Sequence, residues 1–159
     1  GPALGPAHRR LRVRSAAGLR AHPEDDSRSV GVERDRHRWP VRLRGEFVEA
    51  GEDHLAATMP VDHRTVQPYG IVHGGANVLL AETLGSIASS LVMDATKSIC
   101  VGLEINANHV RAIRKGRVKG VCRPIHLGRT THLWEIRIED EEGRLSCISR
   151  LTMAILPKE

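Results

Sequence analysis

Apolar and polar residues change their period along this chain, and the changes mark out its elements. From Gly74 to Met93 nearly every position is apolar or small. Glu82 is the only charge in that run, and no Lys or Arg falls between Arg64 and Lys97. The run predicts one long helix ending near Asp94. At about 100° per residue, Glu82, Ser86 and Ser89 lie within roughly 60° of one another, while Val78, Leu79, Leu84, Ile87, Leu91 and Val92 take the other faces. A helix apolar nearly all round is expected to be buried.

On either side of the helix the period is two. Phe47 and Val48 lead to a turn at Gly51-Glu52-Asp53-His54, and Leu55, Ala57 and Met59 then alternate with small or polar residues up to Pro60. This predicts a β-hairpin, followed by a connecting loop over 62–70. Four strands are expected after the helix. In 98–110, Ile99, Val101, Leu103, Ile105 and Ala107 share one face and His109 continues their row, with Cys100, Gly102, Glu104, Asn106 and Asn108 opposite. Strand 117–125 follows the turn at Lys115-Gly116 and runs to Pro124. Strand 130–139 sets His132, Trp134, Ile136 and Ile138 on one side. Strand 144–156 alternates Leu145, Cys147, Ser149, Leu151, Met153 and Ile155. One helix cannot cover both faces of six antiparallel strands. The expected α+β architecture is a curved antiparallel sheet wrapped around one long central helix, its outer face and edges covered by other copies of the chain.

Composition narrows the class. The chain has 159 residues, with one Phe, one Tyr and two Trp, so its core is built from Val, Ile, Leu and Ala. The net charge of +5 misleads: residues 1–45 hold 11 of the 24 Lys and Arg and 5 of the 19 Asp and Glu, leaving 13 against 14 for the remainder. The body therefore lacks the charge balance of a nucleic-acid binder. Residues 1–45 read as an Arg-rich extension, disordered or artefactual, with Gly1-Pro2 resembling the scar of a cleaved tag and Val41–Arg44 open to an edge-strand reading. Residues 46–159 form the expected single domain. Asn77 and Glu82 make the long run a poor membrane span, and the first residues show no secretory pattern. Cys100, Cys122 and Cys147 are odd in number, widely spaced and not in metal-type pairs. Reduced thiols in a cytoplasmic protein account for them most simply.

Two features carry candidate chemistry. Glu82, on a buried helix without a local cation, is expected to be desolvated and its pKa raised, as a general base at neutral pH requires. The competing reading is a glutamate facing water. His73-Gly74-Gly75 starts the helix, where unpaired N–H groups and the positive end of the helix dipole could form an oxyanion hole. The competing reading is a tight loop-to-helix turn. Gly74 and Glu82 are eight residues apart, about 12 Å along one helix, so they cannot reach one carbonyl carbon. An acyl-transfer site using both must be built between two subunits by two-fold symmetry.

The segments MPVDHRTVQPYGIVHGGANVLLAETLGS, VGLEINANHVR and HLGRTTHLWEI resemble hotdog-fold acyl-CoA thioesterases of the 4-hydroxybenzoyl-CoA (Arthrobacter-type) branch, over about residues 46–156. Within that branch they are most similar to the group acting on 1,4-dihydroxy-2-naphthoyl-CoA in menaquinone biosynthesis. The resemblance implies that Glu82 is the nucleophile on the thioester carbonyl or the base for water, and that Gly74 supplies the oxyanion N–H. It implies that Gln67 positions the carbonyl or the water with His73, and that Ser86 bonds the water or acyl group. It places CoA against Gly102, against His109, Val110, Arg111 and Ala112, and against His126, Leu127, Gly128, Arg129, Thr130 and Thr131. Arg111 and Arg129 suit its phosphates. For each Arg the competing reading is a solvated side chain, and for His109 a packed core histidine.

The resemblance further implies no metal, no cofactor beyond the CoA of the substrate, and a homo-oligomer, dimer or dimer of dimers, with sites between subunits. No nucleic-acid or membrane partner is expected. Relatives in this branch carry a short helix before the first strand that helps close the acyl pocket, and the Arg-rich stretch to Leu43 does not match it. The alternatives are a broad housekeeping or proofreading thioesterase, a non-catalytic acyl-CoA-binding regulator, or a nucleic-acid-associated protein using the basic extension.

Overall fold

The structure is a computed structural model and describes residues 46–159. The Arg-rich extension, the Val41–Arg44 strand reading and the missing front helix lie outside those residues. The elements are β1 (Glu46–Ala50), β2 (Leu55–Pro60), α1 (Gly74–Val92), β3 (Ser98–His109), β4 (Arg117–Leu127), β5 (Thr131–Asp140) and β6 (Leu145–Pro157). All pairings are antiparallel, in one six-stranded sheet of order β1-β2-β4-β5-β6-β3. The helix packs against β2 to β6, and the expected α+β architecture holds.

Alternation explains the core. On β5, His132, Trp134, Ile136 and Ile138 all face inward and are buried, as are Cys147, Ser149, Leu151 and Met153 on β6. From the helix, Leu80, Ala81, Leu84 and Ala88 meet them. Each large apolar side chain so buried stabilises the fold by roughly 1.5–3 kcal/mol. The helix lies close to the sheet because Gly120 leaves room: a Cβ there would sit 2.7 Å from Leu84 Cδ1. Burial is one-sided, however. Val78, Leu79, Ile87, Leu91 and Val92 are only half-buried, so the helix is not enclosed all round within one chain. By length and apolarity α1 could cross a membrane, but it is the core helix here.

The largest departure from expectation is in β3. Gly102 pairs with Met153 and Glu104 with Thr152, which leaves Leu103 as an extra residue in a bulge. A one-residue slip exchanges the faces of a strand. Before the bulge, Cys100 and Gly102 face the helix, and Ile99, Val101 and Leu103 are 43%, 39% and 62% exposed. Beyond it, Ile105 and Ala107 pack against the core as expected. A second bulge, at Ile125, carries β4 past Pro124 to Leu127. The β2 partner has ended at Cys122, so the absent N–H of Pro124 costs no ladder bond on that side. β3 forms one edge of the sheet, with a row of backbone groups open to another strand.

Candidate active site

The loop before the helix sets its start. Val66 and Val72 form an isolated bridge, with Gln67 N–H bonded to the Ile71 carbonyl at 2.9 Å. Between them the Gly70 N–H reaches the Gln67 carbonyl at 2.8 Å, closing a turn with Pro68 at its first central position and Gly70 at φ 70°. The His73 N–H then bonds the Thr65 carbonyl at 2.8 Å. These bonds place Gln67 half-buried at the base of a pinned turn, opposite Ile71.

His73 is the helix N-cap. Its Nδ1 accepts from the Gly75 N–H at 2.9 Å, and its carbonyl accepts from Ala76 and Asn77 at 2.9 and 3.3 Å. A ring nitrogen that accepts carries no hydrogen, so the neutral imidazole presents Nε2–H as a donor. In this first turn the Gly74 N–H alone has no acceptor among the described residues. The His109 ring covers it from β3: a Cβ on Gly74 would lie 2.9 Å from His109 Nε2. His109 is exposed and stands over the helix start, so the packed-core reading fails. The result is a free N–H at the positive end of a helix dipole, flanked by two imidazoles. It can donate to a developing oxyanion.

Two turns along, the polar stripe crosses one rung of the sheet. His132, Met153 and Gly102 are register partners across β5, β6 and β3. Glu82 lies over Gly102, Ser86 over Met153 and Ser89 over His132. A Cβ on Gly102 would be 2.6 Å from Glu82 Oε1. Ser86 Oγ donates to Glu82 Oε1 at 3.4 Å and lies 3.9 Å from Met153 Sδ. Burial pushes the Glu82 carboxyl above its ordinary range, against a smaller lowering by Ser86. Among the described residues no cation lies within ion-pair distance of it. Glu82 is thus half-buried, with its carboxylate turned against β3.

Ser89 departs from the expected stripe. It is fully buried and bonded to Trp134 Nε1 at 2.7 Å and His132 Nδ1 at 3.2 Å. That network was missed in the sequence. Its signal was the inward row of β5, which carried His132 and Trp134 together.

The two segments expected to hold CoA lie at opposite ends of the sheet. His109 pairs with Cys147, and Thr131 pairs with Ala154. Seven residues of β6 separate those rungs, about 23 Å. Val110 and Arg111 N–H groups bond the Ser146 carbonyl at 2.8 and 3.2 Å, and Arg111 and Ala112 are exposed beyond. The β4–β5 turn holds His126, Arg129 and Thr130 exposed and Leu127, Gly128 and Thr131 half-buried. One chain thus holds the candidate residues in two groups: Gln67, His73, Gly74, His109 and Arg111 towards one end, and Glu82, Ser86, Gly102 and the β4–β5 turn towards the other. Among the described residues no three His, Cys, Asp or Glu side chains gather as a metal would require.

Gly102 offers a test of this geometry. Gly102→Ala would force only the flexible end of Glu82 to move, so the melting temperature should change little. The displaced carboxylate should lower kcat/KM by on the order of 10- to 100-fold. Equal activity of the variant would show that Glu82 need not lie against β3.

A family model described as "Thioesterase superfamily" matches residues 69–147. The 1,4-dihydroxy-2-naphthoyl-CoA hydrolase of Escherichia coli is 59% identical over 110 residues, covering 69% of this chain and 80% of that protein. The proofreading thioesterase EntH of Cronobacter turicensis is 53% identical over 111 residues, covering 70% and 80%. Among solved structures, a mutant of thioesterase PA1618 from Pseudomonas aeruginosa superposes with a TM-score of 0.72 at 55% identity, covering 73% of this chain and 84% of that one.

Proposed function

This chain belongs to the thioesterase superfamily, and we propose that it hydrolyses an aromatic acyl-CoA, with 1,4-dihydroxy-2-naphthoyl-CoA of menaquinone biosynthesis as its preferred ester. The hydrolase of that name at 59% identity supports the substrate, and within the superfamily the proposal sets the chain in the 4-hydroxybenzoyl-CoA branch. The observation that carries the mechanism is the pairing of a free Gly74 N–H with a desolvated Glu82 on a single helix.

In the proposed reaction the thioester carbonyl oxygen takes the Gly74 N–H, with Gln67 and the Nε2–H of His73 orienting the carbonyl or the water. Glu82 attacks the carbonyl carbon or takes a proton from attacking water. The C–S bond breaks, CoA leaves as the thiol, and water supplies the acid oxygen. Ser86 steadies the carboxylate. The scheme calls on no metal or cofactor.

The two half-sites of one chain are too far apart to act on one ester. Two copies pairing their β3 edges about a two-fold axis near Ile105 and Asn106 would set His109 of one opposite the partner's Gly102. Gly74 would then face the partner's Glu82, and Arg111 would approach the partner's Arg129, where the CoA phosphates belong. The functional unit is a homodimer or a dimer of dimers, placed in the cytoplasm.

Thiol release measured with Ellman's reagent on 1,4-dihydroxy-2-naphthoyl-CoA, benzoyl-CoA, hexanoyl-CoA and palmitoyl-CoA tests this. A kcat/KM at least about tenfold higher for aromatic esters supports the proposal. Flat rates support the second reading, a broad or proofreading thioesterase, which the 53% identical EntH favours. Binding without thiol release would leave an acyl-CoA-binding regulator. Removing residues 1–40 without change in activity or nucleic-acid retention would dispose of the role for the basic extension.

A further inference from the structure

We propose that Ser146 is a positioning residue for Arg111, fixing the backbone from which that guanidinium reaches the CoA phosphates. The inference deepens the reading of His109 to Ala112 as a CoA-binding segment and rests on it.

Arg111 leaves the sheet just past the last rung between β3 and β6, where His109 pairs with Cys147. It is exposed and, among the described residues, its guanidinium has no ion-pair partner. The fork of a guanidinium matches a phosphate only in a defined direction, so its Cα–Cβ bond must be held. Because peptides are planar, holding it means fixing the two planes on either side of one Cα. Ser146 holds both. Its carbonyl accepts the Arg111 N–H at 3.2 Å, which fixes the plane before Arg111, and also the Val110 N–H at 2.8 Å. Its Oγ donates to the Arg111 carbonyl at 2.9 Å, which fixes the plane after it. A serine hydroxyl has one hydrogen to give, and here that carbonyl receives it. Ser146 is 1% exposed and sits at the start of β6, so the clamp is rooted in the core.

Beyond Arg111 the chain is tied independently. Ile113 is buried, and its carbonyl accepts the Val72 N–H at 2.8 Å, one residue before His73. Arg114 Nη1 donates to the Tyr69 carbonyl at 3.1 Å. These bonds brace the loop that starts the helix and involve neither Ser146 nor Arg111. Removing the Ser146 hydroxyl therefore frees only the peptide plane between Arg111 and Ala112. That plane can turn, and the Arg111 side chain with it, while Gln67, Gly74 and Glu82 keep their places. The two bonds to the Ser146 carbonyl belong to the backbone and survive a substitution.

The test compares benzoyl-CoA with S-benzoyl-pantetheine, which presents the same thioester without the phosphates. Ser146→Ala, which takes away a single oxygen, should raise KM for benzoyl-CoA about three- to tenfold, the loss expected for one orienting hydrogen bond. Its kcat, and its kinetics on the pantetheine ester, should stay within about twofold of wild type. In an Arg111→Ala background Ser146→Ala should change KM for benzoyl-CoA by less than about twofold, because the group it positions is gone. Ser146→Cys, which keeps a weaker donor at the same place, carries the same comparisons with a smaller rise if Ser146→Ala does not fold. An unchanged KM for benzoyl-CoA, equal losses on both esters, or effects that multiply in the double variant would overturn the inference. Arg111→Ala alone separates the two levels: if it leaves KM for benzoyl-CoA unchanged, Arg111 does not hold CoA and the underlying reading fails. If Arg111→Ala raises KM and Ser146→Ala does not, only the role of Ser146 falls.

Discussion

Glu82→Gln should lower kcat by on the order of a thousandfold while the folded protein becomes no less stable. The two effects share a cause. Burial raises the Glu82 pKa in the folded chain, so its ionisation disfavours the fold once the pH rises above the unfolded-state value. Below that value the group is protonated in both states and contributes nothing; above it the cost sets in. A neutral Gln removes that cost. The melting temperature of the variant should equal or exceed wild type at pH 8, and the difference should vanish near pH 4. For the wild type, kcat/KM should rise with pH through a limb above the ordinary carboxylate range, because the working form is the anion. Ser86 lowers the Glu82 pKa, so Ser86→Ala should move that limb to higher pH. Near wild-type turnover in Glu82→Gln would remove Glu82 from the mechanism.

Co-expression of two inactive variants should restore activity. If Gly74 and Gln67 of one copy act with Glu82 of the other, Glu82→Ala and Gln67→Ala damage different halves of each site. A mixed dimer then holds one site with both defects and one with neither. Random pairing makes half of the dimers mixed, so the mixture should show about a quarter of wild-type activity, against near zero for each variant alone. Differently tagged copies purified in series would isolate the mixed dimer, with about half of wild-type activity. No recovery in the purified mixed species would mean that the half-sites do not combine across two copies.

Much of this was legible in the chain. A charge-poor run from Gly74 to Met93 flanked by alternating strands reads as a helix on a sheet, and Glu82 without a local cation was expected to be desolvated there; the structure holds it half-buried against β3. The capping role of His73 was not legible, because a ring at the cap position can reach inward or outward. The period-two reading of β3 failed at Leu103. Sequence alternation shows which residues could share a face, but one inserted residue exchanges the faces, and its site depends on how β3 pairs with β6. Ser89 was read with Glu82 because helical angle groups them. The structure separates them because Met153 stands between Gly102 and His132, the two residues of one rung that Glu82 and Ser89 face.

By itself the sequence determined the order of elements, the inward rows of β5 and β6, and the types of group at the helix start and middle. These follow from local periodicity and from the fixed rise of a helix, which already put Gly74 and Glu82 about 12 Å apart. Only the tertiary structure decided which groups meet. The bulge at Leu103 turned Gly102 towards Glu82, His109 came to stand over Gly74, and His132 joined Ser89 and Trp134. Each of these contacts joins residues far apart in the chain. They depend on strand register and on the close packing of helix on sheet, neither of which a local pattern specifies.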